Sequence, residues 1–140
     1  MAKHLKILGI GAQAPMADAD SVRDFLEKIV AAVGMRPLGE PTVHDVPLDI
    51  KKMGAEPFED EGGVTTQNNG YEPLLAGYHT LSTSHVAIHT WPIRHGDKGE
   101  LHLDIYSCRD FDPKMVQDFV GEFFRCEKMK VSDLTVATEW

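Results

Sequence analysis

Two stretches near the middle of the chain alternate strictly between apolar and polar side chains, and this alternation constrains the fold more than any other feature. In "SHVAIHTW" Val86, Ile88 and Thr90 fall on one side, and His85, Ala87, His89 and Trp91 on the other. In "ELHLDIYSC" Leu101, Leu103 and Ile105 point one way, and His102, Asp104, Tyr106 and Cys108 the other. Successive side chains of extended backbone point to opposite faces, so each stretch is predicted to be a strand with one face in a core. The residues between them, "PIRHGDKG", carry a proline and two glycines. They predict a hairpin joining a strand Tyr78–Trp91 to a strand Glu100–Cys108.

The apolar faces of these strands need a cover, and two helical stripes supply it. Val22, Phe25, Leu26, Ile29, Val30 and Val33 recur at helical spacing, ended by Gly34. Asp112 and Pro113 provide an N-cap and a first-turn proline for a second stripe of Val116, Phe119, Val120, Phe123 and Phe124. The helices share Val, Asp and Phe at equal spacing, "SVRDFLEKIV" against "MVQDFVGEFF", which is compatible with an internal duplication. Further strands are expected at His4–Gly11, Glu40–Leu48 and Val131–Thr138, and a Gly/Pro/Ala stretch after the first reads as its exit loop. The expected fold is α+β, a two-layer α/β sandwich with a mainly antiparallel sheet and two helices on one face. Residues 49–77 lack periodicity and read as a long loop, in which Phe58, Glu59 and Glu61 are candidate lid or pocket residues.

A chain of 140 residues suits one domain, 1–140. Its formal charge of −8 argues against non-specific nucleic-acid binding, which needs a basic face against phosphates. No apolar run approaches the roughly 20 residues that would span a bilayer, so no membrane partner is expected. The opening residues lack the pattern of a secretory signal, and the expected compartment is cytoplasmic. Cys108 and Cys126 are the only cysteines, which suggests neither a disulfide framework nor a four-thiolate metal site.

If the two central strands pair, their polar face gathers His85, His89, His102, Asp104 and Cys108. Three readings compete for this cluster. Metal ligation by His85 and His89 together is disfavoured, because four residues of strand separate their Cα atoms by about 13 Å. A hydrogen-bonded structural network is the second reading. Covalent chemistry at Ser84, with a histidine and a cysteine carrying protons, is the third. Spacing alone does not choose between the last two.

The residues "TSHVAIHTWP" followed by "LDIYSC" resemble the signature of the short prokaryotic S-adenosylmethionine decarboxylases. That signature is Glu-Ser-His, three residues, His-Thr-aromatic-Pro-Glu, then a strand ending Asp-x-aromatic-Thr-Cys. The resemblance is closest over Leu81–Cys108. It implies a proenzyme that cleaves itself between Thr83 and Ser84, giving pieces 1–83 and 84–140 and converting Ser84 into a pyruvoyl group. That ketone would condense with the amine of S-adenosylmethionine and accept electrons as carbon dioxide leaves, a step of polyamine biosynthesis. By the same match His89 assists processing and Cys108 returns a proton to the α-carbon. His85 and Phe58 are substrate-binding candidates. A homodimer is expected, both from the resemblance and from the sheet face that the helices leave uncovered. No metal is called for.

Three positions depart from the family pattern. Thr83 replaces the glutamate before the scissile bond, and its β-branch alters the turn's geometry. Ile93 replaces the glutamate that holds the ribose hydroxyls, and leaving such a hydroxyl unpaired costs roughly 1–3 kcal/mol. Ala76 stands where a direct count back from Ser84 places the second processing serine. The alternatives to the decarboxylase are therefore an unprocessed relative that binds or degrades S-adenosylmethionine, and a decarboxylase of another amino acid.

Overall fold

The structure is a computed structural model, and it describes residues 2–45 and 73–139. Six strands form one sheet: β1 (Ala2–Ala12), β2 (Thr42–Asp45), β3 (Leu75–Thr80), β4 (Ser84–His95), β5 (Lys98–Ser107) and β6 (Lys128–Val136). Their order is β2-β3-β4-β5-β1-β6, and each neighbouring pair is antiparallel. Helices α1 (Gln13–Ala17), α2 (Ala19–Val33) and α3 (Pro113–Phe124) complete the described residues.

The long helices form where the stripes predict them. Asp18 caps α2 by accepting from the Ser21 N–H, and Gly34 closes it at φ 66°, a conformation open to a residue without Cβ. Asp112 caps α3 by accepting from the Lys114 N–H, ahead of Pro113. Both bury their stripes on one sheet face, against Leu5, Ile7, Val86, Ile88, Leu101, Leu103 and Ile105, all fully or almost fully buried. Phe25 of α2 meets Phe119, Phe123 and Phe124 of α3 at ring centroid distances of 5.5, 5.3 and 4.9 Å, so the helices lock to each other as well as to the sheet. The α+β two-layer architecture is the expected one.

Three local expectations need correction. The stretch after β1 is not a plain loop: Gln13–Ala17 form a short helix that buries Met16 and whose Met16 carbonyl accepts from the Thr90 hydroxyl at 2.8 Å. The expected hairpin loop is mostly strand. β4 continues through Pro92 to His95, with a register irregularity after Trp91, and the reversal falls at Gly96 and Asp97. Finally, Tyr78–Trp91 is not one strand. It breaks at residues 81–83, where the Leu81 N–H donates to the Ser84 carbonyl at 2.8 Å.

That break is held from outside. The Ser82 N–H donates to the Arg36 carbonyl at 2.8 Å, and the Leu38 N–H donates to the Thr80 carbonyl at 2.9 Å. Pro37 and Leu81 form an isolated bridge. The segment following α2 thus pins the turn that precedes Ser84. The expected strand Glu40–Leu48 is seen as Thr42–Asp45, and its remainder from residue 46 lies outside the described residues.

Candidate functional site

The break between β3 and β4 places the Thr83–Ser84 peptide at the first residue of a strand, against the last residues of β5. Ser84 pairs with Ser107 in register, and the Cys108 N–H donates to the Thr83 carbonyl at 2.8 Å. Ser84 belongs to the helix-covered face and is 8% exposed. Its hydroxyl donates to the Met35 sulfur at 2.9 Å. The Thr83 hydroxyl reaches the same sulfur at 3.1 Å and the Ser107 hydroxyl at 3.4 Å.

The opposite sheet face carries the ring systems. His85 is stacked between Tyr78 of β3 and Tyr106 of β5, at centroid distances of 5.8 and 5.5 Å. Tyr106 also accepts a long contact of 3.8 Å from the exposed Cys108 thiol. Coupling to Cys108, first through hydrogen bonding and then through charge, raises the Tyr106 phenol above its ordinary pKa. The scissile-bond candidate, His85, Tyr106 and Cys108 therefore come together around the start of β4.

His89 does not join them. Five residues of strand put it about 16 Å from Ser84, and its odd spacing turns it to the other face. His89, expected to assist processing, is thus placed away from the Ser84 hydroxyl within one chain. Instead His89 lies opposite His102 on β5 and opposite Ala76 on β3, and it stacks on Trp91 at 6.0 Å. It borders a cavity of about 380 Å³ lined by Thr42, His44, Ala76, Gly77, Tyr78, Ala87 and His89. Partial desolvation, and then the neighbouring His102, lower the pKa of this exposed residue below the ordinary imidazole value, so at neutral pH the ring is uncharged. The small side chains of Ala76 and Ala87 leave the cavity open.

The His102 ring N–H donates to the Glu100 carboxylate at 2.7 Å, so for that residue the hydrogen-bonded network is what the structure contains. Among the described residues no group of three His, Cys, Asp or Glu is arranged to hold a metal ion. Phe58, Glu59 and Glu61 lie outside the described residues. Sequence reasoning missed Met35, which follows the helix cap with no motif around it. It also left Tyr78 and Tyr106 out of the site, although strand alternation already put Tyr106 on the face of His85.

Comparison with known proteins now bears on this geometry. The family model described as S-adenosylmethionine decarboxylase matches residues 4–135. The chain is 31% identical over 83 residues to an S-adenosylmethionine decarboxylase proenzyme of Pyrobaculum arsenaticum, covering 59% of this chain and 54% of that protein. It is 36% identical over 61 residues to the proenzyme of that name from Syntrophomonas wolfei, covering 43% and 45%. The matched part spans about half the length of these curated relatives. A crystal structure of the adenosylmethionine decarboxylase of Aquifex aeolicus superposes with a TM-score of 0.65 at 17% identity, covering 100% of this chain and 96% of that one. That likeness speaks for the fold. With the family match running over nearly the whole sequence, the chain belongs to the S-adenosylmethionine decarboxylase family.

Proposed function

We propose that this chain is the precursor of a pyruvoyl-dependent S-adenosylmethionine decarboxylase, matured by self-cleavage between Thr83 and Ser84. The observation that carries the reading is the Cys108 N–H held 2.8 Å from the Thr83 carbonyl oxygen. A backbone donor fixed at a carbonyl stabilises the negative charge that oxygen gains when a nucleophile adds, and such donors are worth about 3–4 kcal/mol. The Ser84 hydroxyl, one residue on and buried, is the nucleophile. Its oxygen bonds to the Thr83 carbonyl carbon, the Thr83–Ser84 carbon–nitrogen bond breaks, and the hydroxyl proton ends on the departing nitrogen. Elimination then removes the Ser84 α-proton and releases the Thr83 carboxylate. Hydrolysis of the remaining unsaturated amine by water expels ammonia and leaves a ketone at the new terminus.

The residues present fit that group. Once formed, it would supply an electron sink for loss of carbon dioxide from a substrate amine. The chain's own residues then bind and move protons. Tyr78, His85 and Tyr106 offer stacked rings beside the new terminus. Cys108, whose thiol is exposed there, returns a proton to the substrate α-carbon. His89, uncharged at neutral pH, serves as a proton acceptor in the adjoining cavity rather than at Ser84. The substrate is S-adenosylmethionine and the working form a homodimer. A second reading, a substrate without a sugar, is favoured by Ile93, whose side chain offers ribose hydroxyls no acceptor.

Intact mass of the purified chain tests the first step. Two fragments divided after Thr83, the second lacking a free amino terminus, are expected, and a persistent single chain overturns the proposal. Ser84→Ala is expected to remain whole. Cys108→Ala keeps the backbone donor, so it is expected to cleave yet to lose product formation. Carbon dioxide released from labelled S-adenosylmethionine, against labelled free amino acids, separates the two substrates.

A further inference from the structure

We infer that Met35 is a positioning residue for self-cleavage, its thioether sulfur orienting the Ser84 hydroxyl for attack on the Thr83 carbonyl; the inference rests on the cleavage reading above. Three hydroxyls converge on this one sulfur, from Ser84 at 2.9 Å, Thr83 at 3.1 Å and Ser107 at 3.4 Å. They flank the scissile bond on both strands. Met35 itself is 8% exposed and belongs to the core cluster, so water does not compete for these donors.

The chemistry of a thioether suits the task. Sulfur of this kind is a weak acceptor with no proton to give, and it does not act as a base near neutral pH. A hydroxyl that points its hydrogen at the sulfur keeps its oxygen lone pairs free for the carbonyl carbon. A strong acceptor would hold the hydroxyl in place at greater cost to its release. The Ser107 hydroxyl also accepts from the Arg109 N–H at 2.9 Å, and of the three donors Ser84 lies nearest the sulfur. The Thr83 hydroxyl, on the same sulfur, fixes the acyl side of the bond. The threonine that departs from the family pattern thus has a partner in this chain.

The sulfur reaches this position through the cap of α2. Gly34 takes the left-handed conformation, the Met35 N–H returns to the Val30 carbonyl at 3.3 Å, and Arg36 and Leu38 are hydrogen-bonded to the turn. Nucleophile and sulfur are therefore set by one rigid joint between helix end and strand break.

The test measures conversion of freshly translated full-length chain into its two fragments by intact mass, for the unchanged chain, Met35→Leu and Met35→Gln. Leu matches methionine in volume and such exchanges in cores cost little, so this variant folds, which its thermal melt checks. It removes the acceptor only. Cleavage at least tenfold slower in Met35→Leu is expected, with the same pH dependence because no base has been removed. Gln, which carries an acceptor oxygen, is expected to cleave faster than Leu. If Gln does not melt cooperatively, Met35→Asn takes its place in the comparison. A purely space-filling role predicts the reverse order, Leu above Gln, and that order overturns the inference. So does cleavage of Met35→Leu at the unchanged rate while Ser84→Ala stays whole, a result that leaves the cleavage reading standing. An unchanged chain that never divides overturns both.

Discussion

Glu100 accepts from His95 and His102 at 2.7 Å each and from Arg94 at 3.3 Å, and Arg94 in turn lies 4.3 Å over the Trp91 ring. Burial by itself would raise the carboxyl pKa, but the hydrogen bonds from His95, His102 and Arg94 outweigh it and hold the group below the usual carboxylate range. A depressed folded value means that the unfolded chain binds the proton more readily. The stabilisation from Glu100 is therefore fully present above the unfolded carboxylate value near about 4.3 and is lost as pH falls through the lower folded value. Glu100→Gln is expected to cost roughly 1.5–3 kcal/mol at pH 7, the range for hydrogen bonds to a charged group. The difference from the unchanged chain should shrink below about pH 4 as the carboxylate protonates. Urea midpoints of both proteins at pH 7, 5 and 3.5 measure this, and a gap independent of pH would remove the ion network as its cause.

At the scale of the element, β3 is tied down by a buried histidine. His79 is 2% exposed, and its two ring nitrogens face the Leu26 carbonyl of α2 at 2.9 Å and the Gly39 carbonyl at 3.3 Å. One ring thus joins the strand before the cleavage turn to the helix and to the segment that pins the turn. His79→Leu keeps an apolar body but withdraws the polar partner from buried carbonyls. A loss of roughly 1–3 kcal/mol is expected, lowering the melting temperature by several degrees, and an unchanged melt would contradict the clamp. Sequence reveals little of this. Alternation reports which face a residue takes, so the faces of β4 and β5 and the stripes of α2 and α3 are legible from side chains alone. The break at 81–83 is not, because Leu-Ser-Thr carries no glycine or proline and is held by hydrogen bonds to the Arg36 carbonyl and from the Leu38 N–H, more than forty positions earlier in the chain. Helix α1 escapes notice because five residues containing Pro15 display no period. In the site, Ser84 and Cys108 stand out by motif, whereas Met35 acts across 49 residues and has no local signature.

At the scale of the molecule, both long helices cover one face of the sheet, and among the described residues no helix packs on the other. Six strands of 4 to 12 residues, about 4.8 Å apart, present roughly 800 Å², close to what each partner buries in a stable interface of standard size. This face exposes large apolar groups, Leu8 at 40%, Tyr78 at 46% and Leu134 at 50%. Beside Leu8 it also has a cavity of about 250 Å³ whose lining includes Leu8, Ile10, Glu100, Lys128 and Lys130. Basic groups gather on the β1–β6 side, with Lys6, Lys128 and Lys130, while Glu100 and Asp104 lie on the adjoining strand, so a two-fold axis can set unlike charges against each other. The proposed homodimer pairs two such faces. Sedimentation of the chain at tens of micromolar is expected to give twice the monomer mass, and Leu8→Glu, which buries a charge in that contact, to give the monomer with an unchanged melt of the single fold. Because the Ser84 hydroxyl points into the core of its own protomer, the Leu8→Glu monomer is expected to cleave still, while catalysis, whose His89 cavity opens on the shared face, falls. A monomeric unchanged chain would refute the pairing. A Leu8→Glu monomer that no longer cleaves would mean that the turn at Thr83 depends on the second copy as well as on Cys108 and Met35.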